Sequence, residues 1–407
     1  MTTETADTAR VVVIGAGMAG ARLAARMPGV TVIGEETHAP YNRVLLAEVL
    51  AGRYPAEVIA LPPAEVRRGV RVVRIDRADR LVHCDDGSVV RYGRLVLATG
   101  SNPVLPPLRG LGTEMPDGVH AFRTLDDCFA LREAARAGTR NARAVVIGGG
   151  LLGVSAARAL AACGAQVVLA QQGEHLMERQ LDAESAGLLR RHLESLGVEV
   201  HTECRVRGLR CADGAVRAVE LADGYELAAE ITVLACGVRP RTGLAQAAGL
   251  DVRRGIVVDD GLRTSDPYIH AIGDCAEHRG TVYGLAGPAL EQADVLAQVL
   301  AGRPARYEGT RALTRLTLHG PAAGPAGPFD LAAFGESRPL PGDDVVRLAD
   351  ATRGAYRSVV VRGDRLAGGV LLGDLAAVGT LARTWEDDEP LPAETSLLHL
   401  LTNDGGF

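Results

Sequence analysis

The sequence predicts an α/β protein built on two copies of one β–α–β unit, followed by a small α+β domain. Three observations predict it. The apolar run Val11–Ile14 leads into Gly15-Ala-Gly-Met-Ala-Gly20, a G-x-G-x-x-G spacing that opens a helical pattern. The spacing returns at Gly148-Gly-Gly-Leu-Leu-Gly153, after an apolar run that begins at Ala142. Each unit is then followed by hairpin strands and by a short buried strand ending in glycine, Leu95–Gly100 and Ile231–Gly237. Such a glycine spacing has a specific chemical use. The first glycine allows a tight turn, and the second lets backbone approach a pyrophosphate. The third lets the helix pack on the strand, with its N-terminal N–H groups facing the phosphates. Glu35 stands 20 residues after Gly15, at the end of the next apolar run, where a carboxylate takes a ribose hydroxyl. Duplication of the unit implies two dinucleotide-binding domains and two nucleotides.

Composition bounds the function. A chain of 407 residues has room for two or three domains. A hydrophobic share of 47% with only 3% aromatics suits a core packed from alanine, valine and leucine. The net charge of −6 argues against nucleic-acid binding, which shows as a basic footprint. Seven scattered cysteines form no C-x-x-C and no metal-ligand spacing, so neither a metal site nor a disulfide framework is expected. With no signal peptide in front of them, a reduced, cytoplasmic setting is expected. Residues 142–170 are apolar enough to suggest a membrane span, but the glycine cluster and Arg158 interrupt them. They read as strand–turn–helix–strand, and no membrane association is expected.

In chain order, residues 1–9 are a polar lead-in and 10–36 form the first unit. Residues 39–46 make a loop into a helix, and Leu61–Gly69, with two prolines, reads as a connection. Val70–Ile75, Arg80–Cys84 and Val89–Tyr92 alternate as strands around an Asp85-Asp-Gly87 turn. A proline-rich crossing at 102–115 and a helix at 125–137 lead to the second unit. Its helix ends near Gly164, its next strand is Gln166–Ala170, and a longer helix covers 182–196. Asp213-Gly214 and Asp223-Gly224 mark two more hairpin turns. Residues 320–328 are a low-complexity connection. Val345–Leu348, Tyr356–Arg362 and Leu366–Leu372 then predict a small antiparallel sheet, with a helix near 374–384 and a solvated acidic patch at 386–389. The histidines, His201 and His278 among them, show no ligand spacing and are expected at the surface.

Several further runs identify a family. They are Gly34-Glu-Glu with Tyr41-Asn-Arg43, Leu97-Ala-Thr-Gly-Ser101, Leu176-Met-Glu-Arg-Gln-Leu-Asp182, Gly255–Asp260, Arg263–Pro267, Ile272–Arg279, and Val282-Tyr-Gly-Leu285 with Glu291-Gln-Ala293. Over nearly its whole length the chain resembles the two-dinucleotide flavoprotein reductases, the class of ferredoxin, rubredoxin and glutathione reductases and the apoptosis-inducing factors. Within that class it is most similar to the FAD-containing N-terminal part of the large subunit of assimilatory nitrite reductases. The resemblance implies two Rossmann-like domains in a glutathione-reductase-like arrangement. Residues 1–113 and 237–305 would bind FAD, and 114–236 would bind NAD(P)H. Residues 306–407 would form an α+β, rubredoxin-reductase-like C-terminal domain.

Site residues follow from the same resemblance. Gly15, Gly17 and Gly20, with Met18 and Ala19, would cradle the FAD pyrophosphate, and Glu35 or its neighbour Glu36 would take the adenosine ribose. Arg43 would neutralise the pyrophosphate and Val72 would lie against adenine. Thr99 and Gly100 would close over the flavin, and Gly273 and Asp274 would meet the ribityl chain. Leu285 would precede a helix starting near Gly287 and aimed at the flavin. Gly148, Gly150, Leu151, Leu152 and Gly153 would hold the NAD(P)H pyrophosphate, with Gln171 at the adenosine ribose. The chain also departs from the family. Ala47-Glu48 replaces Ser-Lys, which removes a phosphate contact, and Ser155 replaces a glutamate two residues after the last glycine. Gln171 replaces an acidic residue, and the shorter segment from Ala51 to Val70 would open the flavin edge. Tyr41–Leu50 carries no redox cysteine, so no thiol chemistry is expected, and no acid–base catalytic residue or metal is required. The implied function is an FAD-dependent NAD(P)H oxidoreductase passing electrons to a ferredoxin-like or iron–sulfur protein, possibly in nitrate or nitrite assimilation. Without counterparts of the siroheme-binding domains, the chain is not expected to reduce nitrite by itself. The other readings are a flavoenzyme acting on a small molecule in specialised metabolism and a non-catalytic flavoprotein scaffold or redox sensor. The resemblance leaves monomer and homodimer open.

Overall fold

The structure is a computed structural model that describes residues 10–62, 65–137, 141–320, 328–350, 352–392 and 397–401. Its centre is a five-stranded sheet in the order Ile269–Ala271, Arg94–Leu97, Val11–Ile14, Thr31–Gly34 and Val66–Arg68, parallel throughout. Val12, Val13, Leu95, Val96 and Leu97 are wholly buried there. Parallel strands are covered on both faces, so their sequences run apolar without alternating. The glycine turn after Ile14 sends the chain into the helix Met18–Arg26, which packs on the helix Ala286–Leu300. Arg22 fixes that pair with a two-point ion pair to Asp294, at 2.8 and 2.7 Å.

A second parallel sheet repeats the plan in the order Val198–His201, Gln166–Ala170, Arg143–Ile147, Ile231–Leu234 and Val119–Ala121. Each large sheet carries a three-stranded antiparallel companion, Val72–Arg91 beside the first and Val206–Ala228 beside the second. Three of their four turns hold an Asp-Gly pair, at 86–87, 213–214 and 223–224, and the fourth is Arg77–Arg80. At Asp213-Gly214 both φ angles are positive, 52° and 79°, as a two-residue hairpin turn demands. The chain leaves the first sheet through Ser101–Pro103 and returns through Val238–Pro240, and these two crossings pair with each other antiparallel.

The C-terminal part is a five-stranded antiparallel sheet with one helix, Val378–Glu386. Its Leu318, Leu331, Tyr356 and Leu372 join one continuous core with the second sheet and the helix Leu46–Leu50. Across that junction Tyr356 donates to Asp182 Oδ2 at 2.6 Å, and Arg338 donates to the carbonyl of Glu178 at 3.1 Å.

Three expectations need correction. Val66–Arg68 is an edge strand rather than part of a connection: it pairs with Thr31–Gly34, and only that neighbour makes two arginines strand-like. The C-terminal sheet has two strands more than expected, Thr314–Leu318 and Phe329–Gly335, flanking the low-complexity stretch. That stretch lies outside the described residues apart from its ends. His278 is also buried, 1% exposed, because it ends a strand packed beside Ile256–Val258 and its ring lies against Tyr307. The acidic patch at 386–389 is exposed, with Asp388 paired to Arg311 and Arg365.

Candidate cofactor-binding sites

Each glycine of the first motif has its own physical reason. Gly15 has φ +110°, and a Cβ there would run into the Ala98 carbonyl of the neighbouring strand. A Cβ on Gly20 would strike the Gly15 carbonyl, so the third glycine is what lets the helix approach. Gly17 is different. The position of its Cβ is open, and the nearest atom is Arg43 Nε at 3.8 Å. Gly17 is also the N-cap of Met18–Arg26, and no side chain caps that end. Uncapped N–H groups, an open glycine and a guanidinium just beyond it together form a cradle for a pyrophosphate. The second motif repeats the pattern. Gly148 has φ +110°, and Gly153 is pressed onto the Gly148 carbonyl. Gly150 has nothing within 4 Å of its Cβ position and caps Leu151–Ala162 without side-chain help. Both cradles fit a dinucleotide.

Around the first cradle, Thr31–Gly34 ends one residue before Glu35, which stands exposed at the strand end. Glu35 is held by Arg241 through a two-point contact of 2.9 and 3.1 Å. Glu36 is committed elsewhere, pairing with Arg43 and accepting from the Tyr41 hydroxyl at 2.6 Å. Arg43 also donates to the carbonyl of Arg123 at 3.0 Å. Thr99 donates to the carbonyl of Arg241 at 2.8 Å, and Gly100 turns with φ +71°. Gly273, at φ +75°, approaches Ala19 closely and donates its N–H to the buried Gln292 at 2.7 Å. Asp274 follows, held by Arg123 at 2.6 Å and by the Ser101 hydroxyl at 2.8 Å. Leu285 caps the helix Ala286–Leu300, which starts where the expected helix does. Val72 is buried in the core, with Val73 exposed beside it. The structure therefore brings Gly17, Arg43, Glu36 and Arg123 to one place, and Ser101, Arg123 and Asp274 to another. Arg123, Ser101 and Arg241 were not among the expected contacts. Their partners lie far along the chain, and no local spacing signals them.

Around the second cradle, Gln171 turns back on the glycine loop, where its Oε1 accepts from Gly149 N–H at 2.8 Å. Its amide nitrogen is then the end left for a ligand. The Ser155 hydroxyl donates to the carbonyl of Leu151 at 2.8 Å, inside its own helix.

Comparison with known proteins gives this geometry a setting. The family model described as pyridine nucleotide-disulphide oxidoreductase matches residues 9–293. The chain belongs to the pyridine nucleotide-disulphide oxidoreductase family. It is similar to nitrite reductase [NAD(P)H] of Bacillus subtilis, 34% identical over 96% of this chain and 49% of that one. It is also similar to the assimilatory nitrate reductase electron transfer subunit of the same organism, 35% identical over 90% of this chain and 48% of that one. The chain thus spans about half the length of these two curated relatives. Among solved structures, that of the covalent putidaredoxin reductase–putidaredoxin complex superposes with a TM-score of 0.83. It is 26% identical and covers 96% of this chain and 98% of that one.

The family's name points to disulfide chemistry, and the cysteines here are placed differently. All seven are free. Cys275, beside Asp274, is wholly buried with its thiol directed at the carbonyls of Leu97 and Ile272, both 3.3 Å away. Burial pushes the Cys128 thiol up to about 12 and raises that of Cys163 as well. Thiols held protonated in this way are poor nucleophiles. The replacement of Ser-Lys by Ala47-Glu48 also has a physical counterpart. Glu48 turns away from the cradle into the contact between Leu46–Leu50 and Leu151–Ala162, where it pairs with the buried Arg158. Among the described residues no cluster of three His, Cys, Asp or Glu could hold a metal, and no helix is long and apolar enough to cross a membrane.

Proposed function

We propose that this chain is an FAD-dependent NAD(P)H oxidoreductase that delivers electrons to a protein acceptor of the ferredoxin or iron–sulfur type. The observation that carries the proposal is the pair of matching glycine cradles, one in each parallel sheet, each with an open middle glycine at an uncapped helix end. The relatives support the direction of electron flow: one is an electron transfer subunit and another a reductase bound to its redox protein. In this reading 1–113 and 237–305 form the FAD domain, 114–236 the NAD(P)H domain and 306–407 the C-terminal domain. The seven free cysteines are in keeping with a cytoplasmic setting.

Bound FAD supplies the hydride acceptor and the change from two-electron to one-electron transfer. The chain itself binds and orients. Gly17 and the N–H groups of the first helical turn would hold the pyrophosphate, with Arg43, now paired to Glu36, beside it to neutralise its charge. Glu35 takes the adenosine ribose, and Asp274, steadied by Arg123 and Ser101, takes the ribityl hydroxyls. Gly150 and its helix receive the second pyrophosphate, with the Gln171 amide nitrogen at its ribose. No side chain of this set is required to move a proton.

The test is spectroscopic. The purified protein should carry one flavin per chain, released on denaturation as FAD, and the colour should bleach rapidly under anaerobic NADH or NADPH. The reduced protein should then pass electrons to a ferredoxin. Flavin that neither nicotinamide bleaches would sink the proposal and favour a scaffold role.

A further inference from the structure

Arg241 stands one residue past Val238–Pro240, where the chain returns from the second sheet to the first. Its backbone is pinned on both sides of the peptide. The N–H donates to the Gly100 carbonyl at 2.9 Å, and the carbonyl accepts from the Thr99 hydroxyl at 2.8 Å. From that fixed base the guanidinium reaches across to Glu35, Nη1 to Oε2 at 2.9 Å and Nη2 to Oε1 at 3.1 Å. This is the fork-on-carboxylate geometry that fixes the plane of both groups.

Glu35 needs such a partner. It is the first residue beyond its strand and its side chain is 38% exposed, so an unheld carboxylate there would sample several rotamers. The other nearby cation, Arg71, comes only within 3.9 Å and by one nitrogen. An ionised carboxylate offers about four lone-pair directions. The arginine fork uses the inner one on each oxygen and leaves the outer one, on the flank of each oxygen, to accept from a ribose hydroxyl.

We propose that Arg241 is a positioning residue for the adenosine ribose of FAD. It holds the Glu35 carboxylate so that an outer lone pair faces a ribose hydroxyl, and ties that contact to the return crossing at Thr99 and Gly100. The inference rests on the reading of the first cradle as the FAD site. It goes further in assigning recognition of the adenosine end to an arginine 206 positions away from the carboxylate.

Dissociation constants of FAD and of FMN, measured on flavin-free protein, test it. Arg241→Ala should weaken FAD roughly five- to tenfold, and Arg241→Lys, a one-point partner, by less. FMN has no adenosine ribose, so its affinity should not change. In a Glu35→Gln background, where the charged acceptor is already gone, Arg241→Ala should cost less than about twofold more. Unchanged or tighter FAD binding in Arg241→Ala would overturn the proposal, the latter meaning that arginine and ribose compete for Glu35. An equal loss for FAD and FMN, or an undiminished loss in the Glu35→Gln background, would overturn it as well and leave a general structural role. Failure of the FAD reading would show separately, as wild-type protein that does not take up FAD.

Discussion

Glycines in the two motifs are not interchangeable, and single methyl groups separate their roles. Gly17→Ala adds a Cβ into open space beside Arg43, so the flavin-free fold should lose no more than about 1 kcal/mol. Flavin affinity should fall at least about tenfold, because the methyl sits where a phosphate comes closest. Gly20→Ala should behave in the opposite way. Its Cβ meets the Gly15 carbonyl, a backbone atom with nowhere to go, and should cost about 2 kcal/mol or more before any flavin is added. Thermal melts of both flavin-free variants, with flavin titrations, check the contrast. At the second cradle, Gln171 lends its Oε1 to Gly149 N–H. Gln171→Glu can keep that bond with one oxygen and present a negative second oxygen to the ribose. The preference for NADH over NADPH, as a ratio of kcat/KM, should rise by about 1–3 kcal/mol in free-energy terms. An unchanged ratio would mean that residue 171 does not face the adenosine ribose. The glycine turn at Gly15, Gly17 and Gly20 and the strand end before Glu35 were legible because the spacing that marks them is local in the sequence. Arg123 was not, since the carboxylate it holds is 151 positions away.

At the scale of strands and helices, two places where titratable groups are buried define what the elements tolerate. His270 sits inside the edge strand Ile269–Ala271 at 2% exposure, with Nδ1 unpartnered. Burial first, then the like charges of Arg263 and Arg94, push its imidazole down to about 4. The unfolded chain takes up this proton near pH 6.5, before the folded one does, so the neutral strand contributes fully only above that pH. Stability should fall as pH drops from about 6.5 toward 4, by about 2 kcal/mol at pH 5. Urea unfolding of the wild type and of His270→Gln at pH 7 and pH 5 checks it, the variant losing less on acidification. Between Leu46–Leu50 and Leu151–Ala162, Glu48 and Arg158 are 8% and 3% exposed. Arg158→Met leaves a buried carboxylate with only a one-point contact to Arg53 at 3.9 Å and should cost about 3–5 kcal/mol. Glu48→Leu with Arg158→Met should return close to wild type, since both charges are then gone. Elements with local signals, the Asp-Gly hairpins and the glycine-started helices, were legible in the sequence. Val66–Arg68 and Thr314–Leu318 were not. Each is a strand only because a partner strand offers it hydrogen bonds, and three to five residues carry too little pattern to announce that.

Across the whole molecule, the second sheet, the helix Leu46–Leu50 and the C-terminal sheet are sealed by one hydrophobic core. Tyr356 is the polar rivet of that junction. It is wholly buried, and its hydroxyl donates to Asp182, which also caps the helix Ala183–Ser195 by accepting from Ser185 N–H at 2.8 Å. Tyr356→Phe should cost roughly 1.5–3 kcal/mol, the range for a hydrogen bond to a charged group. The loss should appear as one lowered melting transition for the second and C-terminal sheets together. Two separate transitions would mean that the shared core does not couple them. The paired crossings have a different consequence. The chain departs at Ser101–Pro103 and comes back at Val238–Pro240 on the adjacent strand, so everything between hangs from the host by two ends that already touch. A segment with joined ends closes no large loop in the molecule that receives it, and the loss of chain freedom is small. A gene that copied its own first half and spliced the copy into this turn would have left the original sheet, from Val11 to Ile269, able to fold as before.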